Sequence, residues 1–328
     1  MDEPLRRLVF LFGPTAVGKT DLLQKAFASD ARRAVEIISA DSMQVYRHMD
    51  IGSAKPPAEL RTLIPHHLID IRNPNEQFHV GDFVSLAEAL AEDIASTGHI
   101  PIVAGGTAFY FRNLLYGLPG TPSGDTEARA RIHERQAVVG LEGLYLDLAE
   151  VDPVSARRIA PNDRYRIVRA LEVFYSSGKP LSSFPMPDTP RSDLEVLVIG
   201  LNRPREELSV RIGDRVDTMF DLGLCGEVQR LLEMGYLPDD PGFRGIGYRE
   251  FRDLCPSECR TDADKLISWI ASLDGAEVGR LKDAIKLDSR KYAKRQTTFF
   301  RALPDVRWFN PDDHDVVADL IERFWSRG

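Results

Sequence analysis

The sequence predicts an α/β protein, with a parallel sheet flanked by helices and a smaller helical domain inserted into it. Three observations support this fold class. Short apolar runs alternate with segments of helical spacing, and glycine-rich or polar turns follow the runs. A block of helical patterns, bracketed by segments rich in proline and serine, also separates the last apolar run from the others. Alternation of this kind is typical of parallel sheets that helices cover.

Four apolar runs have the length of buried strands, and polar or glycine residues end each of them. They occupy residues 8–12, 35–40, 100–104 and 194–201. Residues 82–97 show helical spacing instead, and we expect Phe83, Leu86, Leu90 and Ile94 on the buried side of that helix. Strands and helices therefore alternate in the first part of the chain, and helical patterns dominate after Pro204.

The turn after the first run carries the strongest functional signal. It fits the phosphate-binding pattern G-x-x-x-x-G-K-[ST] without a mismatch. Its residues are Gly13, Pro14, Thr15, Ala16, Val17, Gly18, Lys19 and Thr20. In such a loop, backbone N–H groups and the start of a helix hold a phosphate or diphosphate, Lys19 adds a point charge, and the Thr20 hydroxyl is placed to ligate Mg²⁺. The sheet is therefore expected to be P-loop NTPase-like, although the loop alone does not identify the phosphate compound.

Two linker-like segments divide the chain. Residues 118–125 and 179–191 are rich in proline, serine and glycine, and helical patterns fill the segment between them. We therefore expect a core domain formed by residues 1–118 and 194–328, with a basic helical region near its C-terminal end. Residues 119–193 are expected to form a helical insertion domain.

Composition excludes several classes of protein. The net charge is −8, so no global basic field indicates a nucleic-acid partner, and any such site must be local. The apolar runs are too short to cross a membrane, and the acidic amino terminus does not resemble a signal peptide, so we expect a cytoplasmic protein. Cys225, Cys255 and Cys259 lack the spacing of a zinc site and are expected to be reduced and mostly buried.

Asp41 and Thr107 follow the second and third runs. Asp41 can act as a general base, as a Mg²⁺ ligand or, more weakly, as a helix N-cap. Thr107 comes after two glycines, where it can donate a hydrogen bond to a phosphate or cap the next helix, 108–115. Because the carboxyl ends of parallel strands share one edge of a sheet, we expect residues 13–20, 41–44 and 105–107 to meet at one crevice.

A pair of arginines lies further along the chain. Arg211 and Arg215 are four residues apart on one face of an expected helix, 206–222. Two guanidinium groups can clamp a diphosphate. Spacing alone slightly favours ordinary ion pairs with the nearby acidic residues, which are Glu207, Asp214 and Asp217.

Residues 280–301 form the strongest nucleic-acid signal. They contain eight basic and two acidic side chains, a net charge of +6 against −8 for the whole chain. On a helix, Arg290, Lys294 and Arg301 share a face with Thr297, and the aromatic residues Tyr292 and Phe299 lie elsewhere on its surface. Basic residues interleaved with aromatic ones favour contact with a polyanion such as RNA.

Two glycine-containing loops are weaker candidates for ligand contacts. Residues 52–56 include Lys55, which can reach an anion. Residues 243–249 place two glycines between arginines, so their backbone can approach a ligand closely.

Together these segments resemble the tRNA dimethylallyltransferase family, also called tRNA isopentenyltransferases, from Leu8 to Arg301. The resemblance rests on eight motifs in the family's order. They are GPTAVGKT (13–20), DSMQVYR (41–47), DIGSAKP (50–56), HHLID (66–70), GGT (105–107), RALEV (169–173), GYRE (247–250) and AKRQ (293–296). The zinc-finger extension of some eukaryotic members is not in the sequence, so we expect the bacterial type.

The resemblance implies transfer of a dimethylallyl group from dimethylallyl diphosphate to N6 of the adenosine next to the anticodon on its 3′ side. The tRNAs are those that read codons beginning with U, and the products are N6-dimethylallyladenosine and diphosphate. The phosphate loop and Arg215 are implied to hold the diphosphate of the prenyl donor, with Mg²⁺ as cofactor. Asp41 is implied to be the general base, and Thr107 to lie at the reacting centre.

The resemblance also implies which residues contact the tRNA anticodon stem-loop. They are Asp41, Ser42, Met43, Gln44, Thr107, Arg129, Val168, Arg169, Ala170, Leu171, Glu172, Arg244, Gly245, Ile246, Gly247, Tyr248, Arg249, Lys294, Arg295, Gln296, Thr297, Thr298, Phe299, Phe300 and Arg301. One crevice needs no second subunit, so we expect a monomer. An ATP-dependent kinase of small molecules and a nucleotide-gated RNA-binding switch are the alternatives, but both leave the paired motifs at 41–44 and 293–296 unexplained.

Overall fold

The computed structural model describes residues 6–28, 34–122 and 124–326. The amino-terminal residues 1–5, where no signal peptide is expected, and Ser123 of the first predicted linker lie outside the described residues. Within the described residues the strands are β1 (Arg6–Phe12), β2 (Val35–Ala40), β3 (His66–His67), β4 (Ile100–Gly105), β5 (Leu194–Leu201) and β6 (Arg307–Phe309). All pair in parallel, in the order β3-β2-β4-β1-β5-β6.

The predicted parallel sheet is therefore confirmed, and all four predicted strands are present. The two strands that were not predicted lie at the edges of the sheet and have only two and three residues. A strand of two or three residues is too short to show a detectable pattern of apolar residues in the sequence. Their pairing depends on the neighbouring strand.

The helices between and after the strands match most of the expected helical segments. Their bounds are α1 Lys19–Phe27, α2 Ala58–Leu63, α3 Val80–Ser96, α4 Ala108–Tyr116, α5 Thr126–Val151, α6 Pro153–Ala156, α7 Arg164–Ser177, α8 Arg205–Asp221, α9 Leu224–Glu233, α10 Arg249–Leu254, α11 Ala263–Ala271, α12 Gly275–Phe300 and α13 His314–Ser326. Short 3₁₀ turns occur at Leu181–Ser183, Pro241–Arg244 and Ser257–Cys259.

One expected helix face is wrong in part. Phe83 and Ile94 of α3 are buried as expected, but Leu86 is 36% exposed and Leu90 is only half-buried. The small side chains of Ala87 and Ala91 are buried instead. The helix therefore packs through small residues, which allow a close approach, and Leu86 turns outward.

Contacts between Cα atoms divide the chain into two compact units. One comprises the residues up to Asn113 together with those from Ser192 onward, and it contains the whole sheet. Its core has both faces of the sheet covered, so strand residues such as Val9, Phe10, Ile37 and Ile102 are buried whichever way they point.

The second unit spans Leu114–Arg191 and is helical. Its core lies where α5 packs on α7, with Ile132, Leu144 and Ile167 fully buried. Within α5 the helix is interrupted at Gly140, whose φ of +70° an L side chain rarely adopts.

Two expectations from composition hold among the described residues. None of their helices has both the length and the apolar character that a membrane crossing requires. The three cysteines are free thiols, of which Cys255 and Cys259 are buried and Cys225 is half-buried.

Candidate active site

The ends of β2 and β4 meet as the sequence predicts. The Thr107 N–H donates to the carbonyl of Ala40 (3.0 Å), and the Ser42 N–H donates to Thr107 Oγ1 (3.0 Å). Gly105 permits this contact, because a Cβ on it would lie 2.2 Å from the carbonyl oxygen of Ala40. Thr107 is thereby fixed beside the turn that begins at Asp41.

Gln296 of α12 joins this pair of strand ends to the phosphate loop, which we define as residues 13–20. Its Oε1 accepts from the Thr15 N–H (2.9 Å), and its Nε2 donates to the carbonyl of Gly106 (2.6 Å). A Cβ on Gly106 would lie 2.5 Å from Nε2. Gln296 is 4% exposed, so its buried side chain braces the crevice, and its expected tRNA contact stays a prediction.

The phosphate loop has its expected shape between β1 and α1. Gly18 adopts φ +111° and Ala16 adopts φ +62°. The Lys19 Nζ donates to the carbonyls of Gly13 (2.9 Å) and Pro14 (3.1 Å). Burial, aided by the nearby positive charge of Arg215, lowers the pKa of Lys19 to about 8. The ammonium therefore sits in an environment that favours a negatively charged ligand.

A cavity of about 430 Å³ lies beside this loop. Thr15, Asp41, Arg215 and Tyr292 contribute its polar side. Apolar side chains from α8 and α12 form another part of its lining, namely Ile212, Val216, Met219 and Ile285. The remainder includes Ser42, Met43, Arg244, Gly245, Ile246, Gly247, Arg249 and Arg295. The cavity thus combines anion-binding groups with an apolar region.

Asp41 is held by the turn that it begins. Its Oδ1 accepts from the Met43 N–H (2.8 Å) and, at 3.4 Å, from the Gln44 N–H. Within the described residues no hydrogen bond reaches its other oxygen, Oδ2. Gln44 turns away from the cavity and bonds to Ser39 and Ala54. Asp41 therefore orders the turn with one oxygen and offers the other to a ligand.

The two arginines of α8 separate in the structure. Arg215 lines the cavity, and burial lowers the pKa of its guanidinium. Arg211 instead donates through Nε to the carbonyl of Ala16 (2.9 Å) and pairs with Asp21 (3.4 Å). The expected intrahelical ion pairs of Arg211 are wrong, because the acidic residues bind elsewhere: Glu207 pairs with Arg203, and Asp217 with Lys282 and Lys286.

Tyr292 is a site residue whose position the sequence did not indicate. It is half-buried in the cavity, near Thr107 and Gln296. Burial, with the nearby negative charge of Asp41, raises the pKa of its phenol to about 12. The sequence placed this ring apart from the face of Arg290, Lys294 and Arg301, and the structure shows that the ring lines the cavity.

The last part of the basic helix presents its charges to solvent. Arg290, Lys294, Arg295, Thr298 and Arg301 are exposed. Thr297 and Phe299 are half-exposed. Phe300 is buried and stacks on Phe12, with ring centroids 4.2 Å apart, so its side chain belongs to the core, and its expected tRNA contact stays a prediction.

Glu227 is a second residue whose role the sequence did not reveal. It is 2% exposed, and its carboxylate accepts from the N–H groups of Asp50, Ile51 and Gly52 at 2.8–3.0 Å and from the Tyr248 hydroxyl at 2.7 Å. The side chain of Tyr248 is fully buried, and the expected tRNA contact of this residue stays a prediction. The sequence did carry one sign of this role, because Glu227 is an acidic residue at an otherwise apolar position of α9, three residues after Leu224.

Lys55 does not reach a free anion. Its side chain is 3% exposed, and its Nζ donates to the carbonyl of Tyr46 and to the carboxylates of Asp50 and Asp70. These partners satisfy all three donors of the ammonium. Lys55 therefore ties the loop to its own neighbours.

The candidate tRNA residues of the helical unit surround a buried carboxylate. Glu172 is 1% exposed and accepts from Arg129 (2.8 Å), Arg169 (3.0 Å) and the Asp125 N–H (2.9 Å). Both arginines remain partly exposed, and Val168 is half-buried. Ala170 and Leu171 are buried as well, and the expected tRNA contacts of this segment stay a prediction.

Thr20 carries a hydroxyl and Asp41 a carboxylate, and Mg²⁺ prefers a few such oxygen ligands combined with substrate phosphates and water. Among the described residues no group of three or more His, Cys, Asp or Glu side chains is placed to hold a metal by itself.

Comparison with known proteins agrees with this geometry. A curated tRNA dimethylallyltransferase from Syntrophobacter fumaroxidans is 43% identical, over 96% of this chain and 86% of the relative. One from Borrelia turicatae is 40% identical, over 96% and 98%. These relatives favour the prenyltransferase interpretation over the kinase alternative.

Solved structures agree as well. The tRNA isopentenylpyrophosphate transferase of Bacillus halodurans is 33% identical, with a TM-score of 0.62 and 98% of each chain covered. A eukaryotic dimethylallyltransferase, solved acting on tRNA, is 25% identical, with a TM-score of 0.69 and coverage of 93% of this chain and 74% of that one. The expected P-loop NTPase-like fold is confirmed. Because the IPP transferase family model matches residues 44–303, the chain belongs to the IPP transferase family.

Proposed function

We propose that this protein transfers the dimethylallyl group of dimethylallyl diphosphate to N6 of the adenosine adjacent to the anticodon on its 3′ side, in tRNAs that read codons beginning with U. The observation that carries the proposal is one cavity that Thr15 of the phosphate loop, Asp41 and Arg215 all line beside an apolar wall. A diphosphate ester with a short apolar tail matches both parts of that lining. The names of the relatives support the same reaction.

The phosphate loop holds the diphosphate of the donor in this proposal. Backbone N–H groups at the start of α1, the Lys19 ammonium and the Arg215 guanidinium neutralise its charge. Thr20 would hold Mg²⁺, which would supply further charge stabilisation when bound. The dimethylallyl tail lies against Ile212, Val216 and Met219, where burial of apolar surface favours it.

Asp41 acts as the general base. Its carboxylate takes a proton from the exocyclic N6 amine while the nitrogen attacks the allylic carbon of the donor. The new C–N bond forms as the C–O bond to the diphosphate breaks, and the diphosphate leaves with the electron pair. Thr107, fixed beside Asp41, donates a hydrogen bond at the reacting centre. Preorganised donors around the leaving group stabilise the charge that develops there.

The tRNA anticodon loop binds over the cavity and inserts the adenosine from outside. Reaching a base in this way requires that it be flipped out of its stack. Arg244 and Arg249 at the cavity, and the exposed Lys294, Arg295 and Arg301 of α12, meet the phosphate backbone. Arg129 and Arg169 of the helical unit add contacts to the stem. Residues 119–193 serve as an insertion domain, and the protein works as a monomer in the cytoplasm.

The deciding experiment is transfer of labelled dimethylallyl from its diphosphate to tRNA that lacks the modification. We expect label in the anticodon loop, at the adenosine next to the anticodon, and release of one diphosphate per transfer. A tRNA with guanosine at that position is the matched control and should stay unlabelled. Absence of transfer, together with ATP turnover on a small acceptor, would favour the kinase alternative and contradict the proposal.

Donor affinity should also fall as the pH rises through about 8. The pKa of Lys19 is lowered to about 8, so its ammonium is present below that pH and is lost above it. Only the charged form attracts a diphosphate, and we expect affinity about tenfold weaker at pH 9 than at pH 7. Titration of the donor over this range tests the point, with Lys19→Met as the control. That variant should bind weakly at every pH, and a flat profile for the wild type would rule out the role of the ammonium.

A further inference from the structure

Two arginines contact the phosphate loop on the side away from its ligand. Arg211 Nε donates to the carbonyl of Ala16 (2.9 Å), and Arg203 Nε donates to the carbonyl of Val17 (2.9 Å). A Cβ on Gly18 would lie 3.7 Å from an Nη2 atom of each guanidinium. Both arginines therefore lie directly against the back of the loop, and neither is part of the cavity lining.

The orientation of two peptide groups follows from these hydrogen bonds. In a planar trans peptide the C=O and the next N–H point in opposite directions. The Val17 carbonyl points toward Arg203, which donates to it, and the Gly18 N–H therefore points away from Arg203. The hydrogen bond from Arg211 to the Ala16 carbonyl likewise directs the Val17 N–H the opposite way. That N–H donates to the carbonyl of Pro14 (3.3 Å), which closes the turn.

The loop conformation needs such support. Ala16 adopts φ +62°, a left-handed conformation that alanine rarely takes and that costs free energy. Its contacts with neighbouring residues must offset that cost. A charged donor on its carbonyl is one of the stronger hydrogen bonds that a protein can supply.

Arg203 is itself held firmly. Its side chain is 8% exposed and pairs with Glu207 (2.6 Å) and Asp312 (2.9 Å). Arg211 pairs with Asp21 at 3.4 Å. The guanidinium of Arg203 is thus fixed before any ligand arrives, which is what preorganisation of an anion site requires.

We propose that Arg203 and Arg211 are positioning residues that keep the phosphate loop in its diphosphate-binding conformation without touching the diphosphate. This inference rests on the proposed function, because it takes the loop to be the donor site. It predicts that losing either hydrogen bond weakens diphosphate binding and leaves tRNA binding unchanged.

The test compares Arg211→Met with Arg205→Met in calorimetric titrations of inorganic diphosphate with Mg²⁺. Arg205 is exposed on the same helix, so its replacement removes the same charge. We expect Arg211→Met to bind about tenfold more weakly and Arg205→Met to match the wild type. The KM for the prenyl donor should rise in parallel, and the KM for tRNA should not change.

Ionic strength separates positioning from simple charge. Screening at about 0.5 M salt removes most of a through-space charge effect, whereas a loop conformation is insensitive to it. The tenfold difference should therefore persist at high salt. Its disappearance there, or equal binding by the two variants, would overturn the inference.

Arg203→Met provides a second variant with the same expected loss, and its thermal unfolding should be recorded because it also breaks two ion pairs. The titration does not depend on catalysis. Wild-type protein that binds diphosphate but transfers no prenyl group would contradict the proposed function and leave this comparison valid.

Discussion

Asp41→Ala is expected to abolish prenyl transfer while leaving donor binding intact. General-base catalysis contributes roughly 10²–10⁴-fold to rate, and the exocyclic amine of adenine is a poor nucleophile without it. The hydrogen bonds of Thr15 and Lys19 in the phosphate loop do not involve the Asp41 carboxylate. Single-turnover rates with labelled donor, and donor affinity by titration, measure the two properties separately.

Alanine also removes the acceptor that orders the turn at Met43 and Gln44, so a second variant is needed. Asp41→Asn keeps an oxygen at Oδ1 for the Met43 N–H but cannot take up a proton. We expect it to lose activity almost as fully as the alanine variant. Near-normal activity in Asp41→Asn would show that this residue shapes the turn and is not the base.

The variant helps to decide the metal question as well. If Asp41 were mainly a Mg²⁺ ligand, the asparagine variant would recover as the Mg²⁺ concentration is raised, since an amide oxygen still coordinates weakly. If Asp41 is the base, added Mg²⁺ will not restore the rate. The two roles that the sequence left open thus give different titration curves.

Reversing the charges of Lys294 and Arg295 together is expected to weaken tRNA binding at least tenfold at moderate salt. Both side chains are exposed on α12, and Arg295 also lines the cavity. Each lost phosphate contact reduces the release of counterions, so the dependence of affinity on salt should become shallower. Filter binding of unmodified tRNA at several salt concentrations measures both effects.

The matched control reverses Arg260 and Lys265, which are also exposed and lie outside the cavity lining. It changes the net charge by the same amount, so it reveals any effect of overall repulsion. Donor affinity should stay normal in the control variant, because Arg260 and Lys265 lie outside the cavity lining. Equal tRNA affinity in the two double variants would exclude α12 as a specific contact surface.

Local patterns were sufficient for most of the main-chain architecture. The apolar runs predicted the four longer strands, because a strand buried on both faces has a continuous apolar signal. The phosphate loop was identified by its two glycines and Lys19, since few other sequences allow that turn. The convergence of the strand ends followed from the parallel sheet alone. The edge strands β3 and β6 were missed because they are too short for a pattern.

Helical spacing identified faces but not their partners. Arg211 and Arg215 were correctly placed on α8. Only the packing of α8 decided that Arg215 lines the cavity and that Arg211 contacts the back of the phosphate loop. The same limit explains Tyr292, which shares its helix with exposed basic residues but turns into the cavity. A period of 3.6 residues says which side chains lie together and says nothing about what they face.

By itself, therefore, the sequence determined the fold class, the phosphate loop, the family and the identity of the candidate base, because each depends on residues close together in the chain. Only the tertiary structure decided which polar residues are buried braces. Gln296 contacts Thr15 across 281 positions, and Glu227 contacts Asp50 across 177. Contacts over such distances are set by how whole elements pack, and a polar side chain has the same letter in the sequence whether it meets solvent, substrate or a buried backbone amide.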